Sequence, residues 1–392
     1  MRLIECTASE SQHGNERCAA AFAAVDMSAG EASMGDDASD VRKGQGSAHI
    51  DKSEFARRFR QRFHDPAFDA VQPEIGRLID LAWEAYDGSR KAPRTRKAGP
   101  GYADPDYELS LDWLAARDAI AAAERRQRDP AAPLRILGIC GSPRSDETCP
   151  GEMSKTFRLV QLAREAVEAA GIEFDLLDLS RLTSEYGRVI YPCKACVSTA
   201  MPLCHWPCSC YPNHAIGQVN DWMNEIYPRW VAAHGIFIAA PVHWNQVPSV
   251  LKLMIDRLVC ADGGNPDPTS TGGKDAAKAK ALELNGWDYP RHLAGRAFAI
   301  VVHADAEGAQ NVRHALSDWL TSMHLIEAGD ASTIDRYVGY YEPYATSHQA
   351  LDRDQGFQEE TRNAARALVR QVQMMRAGHK EPDHELEEPR KK

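Results

Sequence analysis

Four short apolar runs, each halted by turn-forming residues, constrain this chain more than any other feature. The first is Leu134–Cys140, which stops at Gly141-Ser142-Pro143-Arg144. A run of that length between turn residues suits a strand buried on both faces of a parallel sheet. Phe157, Val160, Ala163, Val167 and Ala170 then recur at helical spacing, and Gly171 ends the pattern. The second run is Phe174–Leu179, the third is Gly235–Ala240 ending at Pro241, and the fourth is Ala297–Val302. Helices are expected at Val219–Ala233, where Pro228 should kink or break the chain, and at Ser249–Leu258. Another is expected after the fourth strand through Val312, Leu316, Trp319, Leu320 and Met323, with Leu325 and Ile326 opening a fifth strand. This alternation predicts an α/β fold, a doubly wound parallel sheet covered by helices on both faces.

The remainder of the 392 residues divides around that unit. Residues 1–50 are rich in Ala, Gly, Ser and Asp, and too poor in large apolar residues to offset chain entropy, so disorder is expected. Residues 51–130 read as a helical extension. Phe55, Phe59 and Phe63 share one side of a first helix, and Val71, Ile75, Leu78 and Ala82 share one side of a second. The Pro- and Gly-rich stretch Lys91–Tyr107 reads as an extended linker, and Ser110 as the N-cap of a helix carrying Trp113, Leu114 and Ile120. The α/β unit occupies 131–330. Residues 331–378 read as an irregular aromatic segment with Tyr337, Tyr340, Tyr341 and Tyr344, followed by a helix at Gln358–Met375; 379–392 is a charged tail expected to be mobile.

Charge and composition narrow the partners. The net charge of -10 disfavours nucleic acid and anionic membranes as partners. No stretch approaches the roughly 20 apolar residues of a membrane helix, and the first residues, MRLIECTASESQHGNER, carry acidic groups where a secretory signal wants positive charge. A cytoplasmic location is therefore expected, where the ten cysteines serve as thiols, metal ligands or redox groups rather than structural disulfides.

Ligands of an open α/β sheet sit beyond the C-terminal ends of its strands, and three such loops carry suitable chemistry. Gly141–Ser154 offers the Ser142 and Ser154 hydroxyls and Arg144, then Lys155, Thr156 and the free amides of a helix start, a set suited to a phosphate dianion. A nucleoside triphosphate loop would need glycines where Cys149 and Ser154 stand, and no Gly-x-Gly-x-x-Gly is present. The bland alternative is a turn with a helix cap. Pro241, Val242, His243, Trp244, Asn245 and Gln246 mix apolar, aromatic and amide groups, as the wall around a flat heteroaromatic ring requires; Trp244 as core and His243 as a surface residue are the alternatives. The third loop runs from His303 through Asp305 to Gly308. Gly308 allows close backbone approach, while Asp305 suits either the site or a helix N-cap.

The strand ending in Gly-Ser-Pro-Arg, the segment Ala240-Pro241-Val242-His243-Trp244 and the later Leu251-Lys252-x-x-Ile255-Asp256-Arg257 resemble the NAD(P)H-dependent FMN reductase family of flavodoxin-like proteins over about residues 133–330. The resemblance implies FMN, with its phosphate at Ser142, Arg144, Ser154, Lys155 and Thr156. Its ring would lie against Pro241–Gln246, with further contact from His303–Gly308. It also implies NAD(P)H as hydride donor, a small-molecule or protein electron acceptor, no catalytic acid or base, and a homo-oligomer with the flavin site near a subunit interface. The longer first loop and an insertion at Asp262–Arg296 depart from the family pattern.

Five cysteines crowd into one segment: Cys193, Cys196, Cys204, Cys208 and Cys210. Thiolates so placed suit an iron–sulfur cluster or zinc, or serve as free or reversibly paired thiols. Cys193, Cys196, Cys204 and Cys208 are the candidate ligands, with Cys210 set aside. The segment resembles the loop of iron–sulfur flavoproteins, where a third cysteine follows the Cys-x-x-Cys pair after two residues; here that position is Thr199. Electron transfer to a protein partner is thus an alternative function, and a cofactor-free module of the same fold a third.

Overall fold

The computed structural model describes residues 42–43, 50–149 and 151–379. The expectations for residues 1–50 and for the charged tail fall almost wholly outside the described residues. An N-terminal block comprises α1 (Lys52–Arg60), α2 (Gln72–Asp87) and α3 (Leu111–Arg128), with four short strands. β1 (Arg42–Lys43) pairs antiparallel with β2 (Arg90–Ala92), and β3 (Thr95–Lys97) with β4 (Glu108–Ser110). The stretch expected to be a bare linker is therefore partly paired. Ser110 stands at the N-cap of α3, but its hydroxyl makes no capping bond.

The central unit runs β5 (Arg135–Cys140), α4 (Lys155–Ala169), β6 (Glu173–Asp178), α5 (Arg181–Ser184), α6 (Met223–Ala232), β7 (Gly235–Pro241), α7 (Ser249–Arg257), α8 (Ala276–Leu284), β8 (Ala297–Ala304), α9 (Ala309–Ser322), β9 (Ile326–Glu327), β10 (Thr333–Tyr337), α10 (Ser347–Arg353) and α11 (Gln355–Arg376). The strands pair in the order β10-β8-β7-β5-β6, all parallel, with β9 also against β8. This is the flavodoxin-like order: the chain goes outward from β5 to β6, then restarts on the other side with β7.

Side-chain alternation along the strands divides the core in two. Leu137, Ile139, Ile236, Ile238, Ile300 and Val302 face Trp230 of α6, Met254 of α7 and Leu316 of α9, with Ile120 of α3 in the same cluster. Ile136, Phe237, Ala239, Ala299 and Val301 face Leu159 and Val160 of α4 and Leu368 and Val372 of α11. Both faces are covered, which is why β7 and β8 read as continuous apolar runs rather than alternating ones. α3 thus belongs to a core layer.

Further differences from expectation are α10, a helix within the stretch that reads as irregular, and the two elements that follow. One edge strand is β10, in a region that reads as irregular. Its sequence TIDRY is half-buried, with Asp335 paired to Arg313 at 2.5 Å and the Arg336 Nε bonded to Glu360 at 2.6 Å. Charged residues are normal on an edge strand, and they erase the apolar signature. The helix expected from Val219 starts only at Met223, because Asn220 takes φ 56° and Asp221 bridges to Val189. Pro228 lies inside α6 without ending it. Among the described residues no helix is long and apolar enough to cross a membrane.

Candidate functional site

The loops after β5, β7 and β8 leave the same edge of the sheet, and β5 and β7 flank the point where strand order reverses. In open α/β sheets this is where a ligand crevice lies, because the connections on either side diverge to opposite faces of the sheet. Gly141 begins the first loop. Its N–H donates to Ala239 O at 2.8 Å, and a Cβ would sit 2.8 Å from a Leu251 methyl, so the close passage of β5 beside α7 requires glycine. Ser142 Oγ accepts from Arg144 N at 3.1 Å. Ser145 and Thr148, both buried and both overlooked in the sequence, close a turn: Ser145 N donates to Thr148 Oγ1 at 3.0 Å, and that hydroxyl donates to Ser145 O at 3.1 Å. Ser154 caps α4 by accepting from Phe157 N at 3.4 Å. The first turn of α4 therefore presents amides with no carbonyl ahead of them. The Arg144 guanidinium lies 3.6 Å from Glu152 Oε2, a carboxylate of its own loop.

Lys155 and Thr156 turn toward the neighbouring strands. Lys155 is buried; its Nζ donates to Val338 O at 3.0 Å, just beyond β10, and stands 3.8 Å from Asp305 Oδ2. Burial lowers its pKa, and Asp305 opposes that shift. Gly339 makes room for this amine, since a Cβ there would stand 3.1 Å from Nζ. Thr156 Oγ1 and His303 Nε2 are 2.7 Å apart. His303 is buried at the end of β8, and its pKa is pushed down to about 3, chiefly by burial and then by the charges of Lys155 and His243, so the ring is neutral. Its Nδ1 is buried with no hydrogen-bond partner among the described residues.

The second loop is a tight turn. His243 and Gln246 exchange two backbone hydrogen bonds, each 2.9 Å, around Trp244 and Asn245 at φ 50° and 61°. Two consecutive left-handed residues are the signature of a type I′ turn. Trp244 is 97% exposed, so it is not core, and His243, Asn245 and Gln246 are exposed too. Val242 N donates to His303 O at 3.0 Å, tying this loop to β8. Gly308, at φ 109°, packs directly against it: a Cβ there would lie 2.6 Å from Asn245 Oδ1 and 3.1 Å from a Val242 methyl. Gly308 also takes the N-cap position of α9, so Asp305 does not cap that helix. The fold thus links Thr156 with His303, Lys155 with Asp305, and Val242 and Asn245 with Gly308. Trp244 and Gln246 remain exposed at the rim.

The cysteine segment follows β6 and folds back on itself. A cavity of about 20 Å³ is lined by Cys193, Cys196, Cys204, Cys208, Cys210 and also Cys260, which follows α7. The sequence reading set Cys210 aside, yet its Sγ lies 3.5 Å from that of Cys196. Cys260 was overlooked because it is far away in sequence. The hydrogen bond with Cys210 lowers the Cys196 pKa, while burial raises Cys204, and a bond with Cys210 together with burial raises Cys208. All the cysteines of the described residues are free thiols. Among those residues no three His, Cys, Asp or Glu side chains are gathered tightly enough to hold one ion. The N-terminal block clamps this segment: Trp113 Nε1 donates to Pro207 O at 2.9 Å, Lys91 Nζ donates to Ser209 O, and His214 stands 3.3 Å from Asp112.

An iron–sulfur flavoprotein of Methanosarcina thermophila is 32% identical over 126 residues, 32% of this chain and 53% of that protein. One from Methanocaldococcus jannaschii is 27% identical over 124 residues, 32% of this chain and 51% of that protein. The chain spans about half the length of each relative. Among solved structures, RosB with a bound 8-demethyl-8-formylriboflavin-5'-phosphate intermediate is a distant likeness: TM-score 0.43, 14% identity, covering 62% of this chain and 81% of that one. A flavone reductase has TM-score 0.38 and 14% identity, covering 64% and 66%. The family model for NADPH-dependent FMN reductases matches residues 134–338, just over half of the chain and the whole span from β5 to the end of β10. This chain belongs to the NADPH-dependent FMN reductase family.

Proposed function

We propose that the chain is an FMN-dependent oxidoreductase that takes hydride from NAD(P)H and passes the electrons to a second acceptor. The observation that carries this reading is the meeting of three strand-end loops at the point where strand order reverses. When bound, FMN would supply the redox chemistry. The first-turn amides of α4, with Ser154 and Arg144, would hold its phosphate by charge-assisted hydrogen bonds. Lys155 adds positive charge beside that point from its fixed place between Val338 and Asp305. The Val242–Gln246 turn and Gly308 form one continuous wall suited to the edge and face of a flat ring. His303, neutral and with a buried unpartnered Nδ1, offers a hydrogen bond without adding charge. Hydride transfer needs alignment and exclusion of water more than a proton-transfer side chain. No residue is assigned as acid or base.

A second centre is supported by the six thiols around one cavity. Tetrahedral zinc with Zn–S near 2.3 Å places its sulfurs about 3.8 Å apart. Cys196 and Cys210 stand 3.5 Å apart, close to that spacing, but among the described residues no three such side chains are gathered as one ion requires. The six-thiol lining supports an iron–sulfur cluster by donor chemistry alone, with electron transfer to a protein partner as the function that would follow. Such thiols persist in a reducing cytoplasm.

One preparation tests both readings. Anaerobically purified protein should be coloured, release FMN and not FAD on denaturation, and contain iron and acid-labile sulfide. Cys193→Ser should remove iron and sulfide while leaving FMN. Flavin without metal, with reactive thiols, leaves the FMN reductase alone; a colourless protein that binds no added FMN overturns the whole proposal.

A further inference from the structure

Two thiols of the cysteine segment are already in contact. The Sγ atoms of Cys196 and Cys210 lie 3.5 Å apart, although the residues are 14 positions apart in sequence. Each is held from its own side. Ala195, at φ 51°, turns the chain into Cys196–Ser198, and the Ser198 N–H and hydroxyl both donate to Ala195 O, at 2.9 and 2.8 Å. Next to Cys210, the Lys91 amine holds the carbonyl of Ser209, and the Trp113 indole holds that of Pro207 at 2.9 Å. Cys196 and Cys210 are half-buried, whereas Cys204, Cys208 and Cys260 are buried.

The surroundings favour a bond between these two sulfurs over an occupant beside them. The cavity of about 20 Å³, lined also by His205 and Ser209, is the size of a water. Among the described residues no three His, Cys, Asp or Glu side chains are gathered to hold an ion. A disulfide needs no such room, because it adds no atom and releases two hydrogens. Sulfurs already in contact need only side-chain rotation to reach bonding distance. Cys208 is the rival partner of Cys210. Only Ser209 separates those two, and so short a ring is stiff.

We infer that Cys196 and Cys210 form a reversible dithiol–disulfide pair, a redox-modification site that exchanges with low-molecular-weight disulfides such as glutathione disulfide. One cysteine, as thiolate, attacks a sulfur of that reagent, breaks its S–S bond and releases one glutathione. The second cysteine then attacks the mixed disulfide, forms the Cys196–Cys210 bond and releases the other glutathione. The pair gives up two electrons and two protons, and glutathione disulfide becomes two glutathione thiols. The second thiol stands in contact with the first, so the closing step runs at high effective concentration. The bond ties the Cys196 turn to the stretch that Trp113 and Lys91 hold. It is independent of the metal reading, and it takes up the Cys196 sulfur, so the oxidised pair and a metal centre that uses Cys196 exclude each other.

The test uses the full chain, stripped of any metal by a chelator, fully reduced, and then equilibrated anaerobically in mixtures of reduced and oxidised glutathione. Remaining thiols are blocked with N-ethylmaleimide, and chymotryptic peptides are mapped by mass spectrometry; cleavage after Leu203 separates the two cysteines. Wild-type protein should convert to a Cys196–Cys210 bond as the oxidised fraction rises, and return to free thiols when the ratio is reversed. Cys210→Ser should instead retain glutathione on Cys196, and Cys208→Ser should form the bond as wild type does. The wild-type map decides the pairing by itself, so a variant that folds poorly does not spare the inference. Wild-type Cys196 and Cys210 that stay free at the most oxidising ratio, keep glutathione as a stable adduct, or pair as Cys208–Cys210 or Cys193–Cys196 overturn it. FMN binding measured on the same samples tests the flavin reading separately, since the flavin loops lie at other strand ends.

Discussion

In the proposed phosphate site, Arg144 and Glu152 would act in opposite directions. With its guanidinium 3.6 Å from the Glu152 carboxylate, Arg144 meets a competitor for any phosphate. Arg144→Ala should weaken FMN binding by about 1–3 kcal/mol with the fold intact, since a hydrogen bond to a charged group is lost. Glu152→Gln should strengthen it a few-fold, because both groups are partly exposed and their attraction is modest. Flavin fluorescence titration measures both; equal affinity in all three proteins would put the phosphate elsewhere. His303 supplies a pH signature. Its pKa falls from an ordinary value near 6.5 to about 3 in the folded protein, so below pH 6.5 the unfolded chain takes up a proton that the folded chain refuses. Stability is therefore undiminished above 6.5 and falls as pH drops from there toward 3. His303→Gln should flatten that part of the stability–pH curve in urea melts at fixed pH values.

At the scale of elements, the N-terminal block and the cysteine segment depend on one another. Trp113 on α3 and Lys91 at β2 hold the carbonyls of Pro207 and Ser209, on either side of Cys208. Trp113→Phe keeps most of the ring in its place but loses the indole donor. It should cost about 1 kcal/mol of stability and speed alkylation of Cys208 and Cys210, with flavin affinity unchanged, because the flavin loops belong to other strand ends. Mass-resolved thiol labelling reads the effect; unaltered labelling of both would mean that the clamp does not restrain the segment. The edge strand β10 makes the complementary point. Its carbonyl neighbour Val338 fixes Lys155, so an element that reads as irregular helps to place a residue of the first loop.

At the scale of the molecule, exposed aromatic rings mark the end of the sheet where the loops meet. Trp244 is 97% exposed on its turn, and Tyr341, beyond β10, is 94% exposed. Contiguous exposed apolar surface of that kind commonly marks an interaction site. A homodimer, with a second copy over this end, is the expected state, and C2 closure is the simplest symmetry that buries such a patch on both copies. Light scattering at micromolar concentration should give twice the 43.4 kDa chain mass, and Trp244→Ser should shift the distribution toward monomer. A wild-type monomer would count against this assembly.

What the sequence determined by itself was the periodic part. Apolar runs such as Leu134–Cys140 and Ala297–Val302 are buried on both faces, so their composition alone marks them as central parallel strands. The turn residues that end them mark the loops, and so the sheet edge where a site would lie. The tertiary structure decided what depends on neighbours distant in the chain. β10 is a strand because β8 offers it backbone partners and because Arg313 and Glu360 pair with its charges, none of which its own residues announce. Cys260 joins Cys193 and Cys208 only because α7 packs beside the cysteine segment, and Arg257 faces the same cavity for that reason. Local pattern reports whether a residue is buried; which other residues share its pocket is fixed by the packing of elements far apart in sequence.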